Sequence, residues 1–263
     1  DVLRGDVLVN GQGLNAANLD AFDIVSRAAA INAAIYAHDI SVTTGHGSYD
    51  PVTGLFTDLA SDGSPAPAVA IDSSALGGIY ADRIKLVGNE KGLGINLDGI
   101  VRATDQLVLR ADGRICVKGA ASSDKSLSVA SAADGVDISG TLAAGATAVV
   151  NAARDVRLAA LAGGEAPLLY APDLSIAAGT IDNGGKILAD GSLKAVVSGD
   201  IANSGTISSG SGASLESGGS VRNQGQIQAG QDLQIVAQTL VENPGKIHST
   251  GTSSIRSGRL SNA

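Results

Sequence analysis

The sequence predicts an all-β fold, a right-handed parallel β-helix with coils of about 20 residues, and three observations predict it. First, from Ile181 onward the chain repeats in twenty-residue units: IDNGGKILADGSLKAVVSGD (181–200), IANSGTISSGSGASLESGGS (201–220), VRNQGQIQAGQDLQIVAQTL (221–240) and VENPGKIHSTGTSSIRSGRL (241–260), with SNA opening a fifth copy. Four columns hold the register: Ile181, Ile201, Val221 and Val241; Asn183, Asn203, Asn223 and Asn243; Gly185, Gly205, Gly225 and Gly245; Ile187, Ile207, Ile227 and Ile247. Second, apolar residues inside a unit alternate, as in Leu193-Lys194-Ala195 and Leu233-Gln234-Ile235, which places them on one face of a strand. Third, aromatics make up 2% of the chain, Trp and Met are absent and glycines number 35. Small and β-branched side chains suffice for a narrow solenoid, whereas globular cores draw on large aromatics.

Taken in order, Val7 to Val9 alternate into the turn Asn10-Gly11, and Ile40 to Thr43 form a second alternating run before Gly45. The segment between them is rich in alanine, yet Ile24, Ile31 and Ile35 make no clean helical face, so strands and corners are expected. Residues 48–68 break the alternation and hold Pro51, Pro65 and Pro67; they are read as an excursion from the solenoid with a short hairpin around Leu55-Phe56. From Val69 to Ala133, strands such as Ile84 to Val87, Leu107 to Leu109 and Ile115 to Val117 return between Gly and Asp-Gly corners of irregular spacing. Strands at Val149-Val150, Val156 to Leu158 and Leu174 to Ile176, with a loop at Glu165 to Pro167, lead to the regular units. There the Asn-x-Gly corners suggest residues tolerant of positive φ. Stacking at one Ile per coil predicts an aliphatic column and an Asn ladder. Right-handedness follows the preference of parallel crossovers. Roughly 12–13 coils at ~4.8 Å each would reach about 60 Å.

Composition narrows the function. The net charge of −8, with 18 scattered Lys and Arg, disfavours nucleic acid and acidic membranes as partners. No run has the apolar length of a membrane-spanning helix, so membrane insertion is not expected. Cys116 has no disulfide partner and, flanked by Ile115 and Val117, reads as a small buried hydrophobe. His38, His46 and His248 are far apart, and only His46 with Asp50 nearby begins to resemble a metal site. No G-x-S-x-G elbow occurs, and no glycine-rich stretch leads into a Lys and a helix. No catalytic, cofactor-binding or metal-binding set is therefore expected. Arg4, Gly5 and Asp6 form the tripeptide used by integrin-binding adhesins and are the candidate cell-attachment residues; the plainer reading is a polar turn feeding the first strand.

The runs RGDVLVNGQGLNAANLDAFDIVSRAAAINAAIYAHDISVTTG (4–45) and VAIDSSALGGIYADRIKLVGNEKGLGINLDG (69–99) resemble the secretion domain of two-partner-secreted exoproteins. That family includes filamentous haemagglutinin, related adhesins and contact-dependent growth inhibition toxins. The tail units resemble haemagglutinin-type repeats. The resemblance implies later coils of a secretion domain over 1–135 and a repeat shaft over 136–263, regular from 181. It also implies an outer-membrane transporter as export partner, a host or neighbouring bacterial cell surface as target, and an extracellular location. In the family an Asn-Pro-Asn type motif is read by the transporter. Here Asn243-Pro244 does not match it, so the piece is expected not to direct its own export. The function expected is a non-enzymatic shaft that projects a distal adhesin or toxin. Two alternatives stand beside it: a host-cell or carbohydrate-binding adhesin in its own right, and a polysaccharide-active β-helix enzyme, which turnover on acidic polysaccharides would reveal.

Overall fold

The computed structural model describes residues 1–60 and 62–262; Ser61, inside the proline-bearing stretch, and Ala263, the last residue of the shaft segment, lie outside the described residues. Among the described residues every regular element is a strand. Twenty-eight strands form one sheet whose pairings are all parallel, and a separate antiparallel pair joins Gly47–Tyr49 to Phe56–Asp58. Parallel pairing follows from the connectivity: each strand pairs with its counterpart one coil on, and a chain that always winds the same way meets itself in the same direction.

Each coil contributes to three ladders. The first runs from Asp6–Val9 over Ala28–Ile31 and Ile71–Ser73 down to Val221–Asn223 and residues 241–243 and 260–262. Eleven successive pairings join its twelve strand segments among the described residues. The second ladder passes through Ala120–Ser123, Thr141–Ala144 and Leu168–Ala171 to Lys246–Ser249, and the third through Ser126–Ser131, Thr147–Ala152 and Asp173–Ala178 to residues 253–257. Alternate side chains of each ladder point inward and form one continuous apolar core. Ile31, Ile71, Ile95, Ile115 and Ile138 are fully enclosed in it. Burial of each such side chain contributes about 1.5–3 kcal/mol, and the narrow interior is filled by aliphatic side chains, with Phe22 packed against it in the first coil.

The twenty-residue register begins earlier than the repeat motif suggests. Ile95 lies beside Ile115, Ile115 beside Val136 and Val136 beside Val156, steps of 20, 21 and 20 residues. The corners there differ in residue type, which hides the period. The next step, Val156 to Ile181, takes 25 residues because the loop around Glu165 to Pro167 is inserted. At the far end the step shortens: Ile235 pairs with Ile255, but Val241 pairs with Leu260, one residue short of twenty. The fifth unit therefore opens at Leu260, not at Ser261.

The corner glycines act through space rather than through φ. None of Gly185, Gly205, Gly225 and Gly245 has a positive φ. A Cβ at Gly205, Gly225 or Gly245 would instead run into the carbonyl oxygen of Gly185, Gly205 or Gly225, one coil back. Tight stacking of corners, not turn strain, selects glycine there.

Candidate functional site

Four buried asparagines line the first ladder and hand hydrogen bonds from coil to coil. The Nδ2 groups of Asn183, Asn203 and Asn223 each donate to Oδ1 of the next asparagine, Asn203, Asn223 and Asn243, at 2.7 Å. The same groups donate at 3.0 Å to the backbone carbonyls of Thr206, Gln226 and Lys246, which uses both amide hydrogens. Asn243 donates at 2.7 Å to Asn262, a fifth rung out of step with the twenty-residue count because of the shortened coil. Beside this ladder Ile187, Ile207 and Ile227 are buried and pair in sequence with Ile247, half-buried at the column's end. The column extends beyond the repeats through Leu142 and Leu169.

Near the N-terminus the proline-bearing stretch leaves the solenoid and folds back on it. Its hairpin seats the Phe56 ring against Gly45 and Gly47, and Val2 bridges Gly47 in antiparallel fashion. Arg27 fastens this arrangement. The guanidinium is buried and forks onto Glu90, with Nη2 to Oε1 at 2.8 Å and Nε to Oε2 at 3.2 Å, while Nη1 donates to the Leu3 carbonyl and the Ser64 hydroxyl. The hydrogen bonds to Glu90 raise the Arg27 pKa further, despite the desolvation that opposes them. One side chain thus ties the N-terminal segment, the excursion and the corner at Glu90 together. A cavity of about 300 Å³ remains beside it, lined by Arg27, His46, Asp58, Leu59, Glu90 and Lys91.

Arg4, Gly5 and Asp6 lie at the mouth of the same region. Arg4 is exposed and meets Asp62 at 3.2 Å; Gly5 turns at φ 97°, and Asp6 begins the first strand. Hydrogen bonds from Ser64 and then Arg4 hold the Asp62 carboxyl well below the usual carboxylate range. His46 and Asp50 are not brought together. Asp50 accepts from Thr53 Oγ1 at 2.6 Å and from the Val52 amide at 2.9 Å, whereas His46 faces the Leu59 carbonyl and, at 3.7 Å, Asp62. Among the described residues no three His, Cys, Asp or Glu side chains are grouped so as to hold a metal ion.

Cys116 departs from its expected place. Ile115 and Val117 point into the core, so the residue between them points out, and Cys116 is half-buried on the outer face. Desolvation, followed by the nearby Asp137, pushes its thiol up, away from the thiolate that reactivity requires. One corner away, Arg114 gathers three carboxylates: Asp134, Asp137 and Asp155, each at 2.8 Å. The pair with Asp155 is bidentate and lowers the Asp155 pKa.

Residues 1–117 match the family described as TPS secretion domain. They are a two-partner secretion domain. Beyond it the pairing of Ile115 with Val136 continues the same ladder without a break. The chain is similar to the toxin CdiA of Yersinia pestis, 36% identical over 143 residues that make up 54% of this chain and 4% of that protein. It is also 42% identical over 120 residues to the tRNA nuclease CdiA-2 of Burkholderia pseudomallei, covering 45% of this chain and 4% of the relative. With the 16S rRNA endonuclease CdiA of Enterobacter cloacae it shares 37% identity over 151 residues, 57% of this chain and 4% of that protein. The aligned parts thus span about one twenty-fifth of these relatives' length. No solved structure matches the chain. Over the matched residues the chain is thus similar to two-partner secretion exoproteins of the contact-dependent growth inhibition type. Two-partner secretion exoproteins are secreted and displayed on the bacterial cell surface.

Sequence reasoning passed over Arg27, Glu90 and Asp62, which hold the two-partner secretion domain's excursion in place. They are separated by up to 63 residues, and single charged residues at such distances carry no local pattern. The signal open to a reader was Arg27 itself, a lone charge between Ile24-Val25 and the apolar run Ala28 to Ile31.

Proposed function

We propose that the chain is a non-enzymatic shaft of an exported surface protein, engaged by an outer-membrane transporter during export and projecting a distal adhesin or toxin. Residues 1–135 are the later coils of the secretion domain and 136–263 the shaft. The observation that carries this reading is the unbroken ladder from residues matched to the secretion domain into units of constant twenty-residue rise. Such a rod transmits position and little else: its interior is filled with aliphatic side chains, and its corners from 181 to 241 admit no inserted loops. The transporter enters because a two-partner secretion domain implies a TpsB partner. The relatives' toxin and nuclease names belong to proteins far longer than this chain, and the distal cargo is proposed by analogy with them.

The test is to duplicate residues 201–240 inside the full-length protein. Two extra coils should lengthen the surface projection by roughly 10 Å at ~4.8 Å per coil and leave export and distal activity intact. Loss of distal activity with normal folding and export, or turnover of acidic polysaccharide by the purified chain, would overturn the shaft reading.

A further inference from the structure

We propose that two copies of this chain pack face to face and antiparallel through the outer face of the third ladder, between Arg110 and Glu216. This goes beyond the shaft reading, since it gives the rod a partner of its own kind. Two outward columns run down that face over six coils, one from Val108 to Ser214 and the other from Arg110 to Glu216. Above Arg110 the second column is closed to a partner, because Thr43 and Val87 are buried in it. Between its two charged ends that column is uncharged, and Val149 of the first column and Val196 of the second are 39% and 38% exposed. Single exposed valines are ordinary; the two end charges are less so. Elsewhere on the rod Arg102, Lys118, Lys125, Arg157 and Arg222 each meet a carboxylate of a neighbouring coil. Arg110 and Glu216 make no ion pair among the described residues.

The two columns are complementary to themselves. A twofold axis lying across the rod, midway between the coils of Val149 and Ser175, turns each column onto itself and pairs the coils in reverse order. Arg110 of one copy then meets Glu216 of the other at both ends of the contact. Between the ends Val149 meets Ser175, Val196 meets Ala130, Asn151 meets Ala177 and Val108 meets Ser214, a larger side chain over a smaller one in every pair. Such alternation is what fills the space between two packed sheets. Lys194, the one other charge in the columns, lies over Ser128, and its long stem lets the ammonium reach the rim. Moving the axis by half a coil loses the match: Val149 would meet itself, and Arg110 would meet Val196. A partner that answers both end charges must carry an acid and a base about 24 Å apart, five coils at ~4.8 Å each. A second copy carries them at that spacing by construction. Six coils of five-residue strands give a face of about 450 Å² on each copy, and a total below ~1,200 Å² belongs to transient contacts. The pairing is therefore a weak one that forms as copies are crowded.

Sedimentation velocity and small-angle X-ray scattering follow the purified chain from dilute to millimolar concentration at low salt. A monomer–dimer equilibrium is expected, with a dimer about as long as the monomer, and added salt should weaken it. Arg110→Glu and Glu216→Arg should each weaken association by about tenfold or more, because each sets like charges opposite one another at both ends. An equimolar mixture of the two variants should recover the parental association, since both ion pairs form again between unlike copies. Val149→Lys should weaken it as well, and Lys186→Glu, on the second ladder, should leave it unchanged. Circular dichroism should match the parent for every variant; should a reversal misfold, Arg110→Gln and Glu216→Gln decide the matter by weakening association to a smaller degree. A chain that stays monomeric to millimolar concentration, a dimer twice the monomer's length, association indifferent to both reversals, or a mixture no better than either variant alone would each overturn the proposal. None of these readouts depends on export or on the projected length, so the test stands apart from that of the shaft.

Discussion

At the scale of single residues, the asparagine ladder shows how a polar side chain lives inside an aliphatic rod. Asn203 is 2% exposed and is bonded on both sides, to Asn183 and Asn223. Asn203→Leu would strand the Asn183 amide, the Asn223 Oδ1 and the Gln226 carbonyl, and each buried orphan costs about 1–3 kcal/mol. Asn183 differs because its neighbour on the other side is Leu158. Asn183→Leu therefore extends an existing aliphatic column and should cost less; equal denaturant midpoints for the two variants would refute the ladder's cooperative character. The Arg114 cluster makes a second prediction, in pH. Asp155 has a lowered pKa in the folded chain, so its contribution is present above the unfolded value near 3.9 and is lost as pH falls through the folded value. Acid titration followed by circular dichroism should show the parent losing stability below about pH 4, with Arg114→Gln losing less over that window because its Asp155 begins nearer the unfolded value. The carboxylate is partly exposed, so solvent screening keeps the effect small.

At the scale of elements, stability comes from strands stacked on their own copies. Ile227 lies between Ile207 and Ile247 in the second ladder and is 1% exposed. Ile227→Asp places a charge where no partner exists, and several kcal/mol are lost unless the coils around it open. The variant should lose protease resistance first in 201–250; parental resistance would contradict the stacking. Much of this arrangement was legible in the sequence, because a column repeated four times in register is a three-dimensional statement written in one dimension. Ile187, Ile207, Ile227 and Ile247 could be read directly. The earlier period from Ile95 could not, since its corners mix Asp112-Gly113, Asp134-Gly135 and Arg154-Asp155. Asn262 was hidden by the deletion of one residue between the pairs Ala237 to Ser257 and Leu240 to Arg259. Cys116 was misjudged because apolar neighbours in a strand face the opposite way from the residue between them.

At the scale of the whole molecule, the N-terminal segment and the excursion are clasped onto the rod, and Arg27 is the joint. Its side chain and that of Glu90 are 7% and 16% exposed, and the pair draws in Leu3 and Ser64 as well. Removing one member of such a pair leaves the other charge buried without a partner, typically a loss of 3–5 kcal/mol, whereas removing both costs much less. The rod below does not depend on this joint, because the ladders from Ile95 onward pair without the excursion. Arg27→Met should therefore release residues 1–5 and 50–66 to protease attack while the core strands from 95 to 243 keep their hydrogen-exchange protection. Arg27→Met combined with Glu90→Leu should restore much of the lost resistance. A double-mutant cycle that gives additive effects would show that the two side chains do not act as a unit. Uniform loss of exchange protection along the chain would show instead that the clasp and the rod fold as one cooperative body.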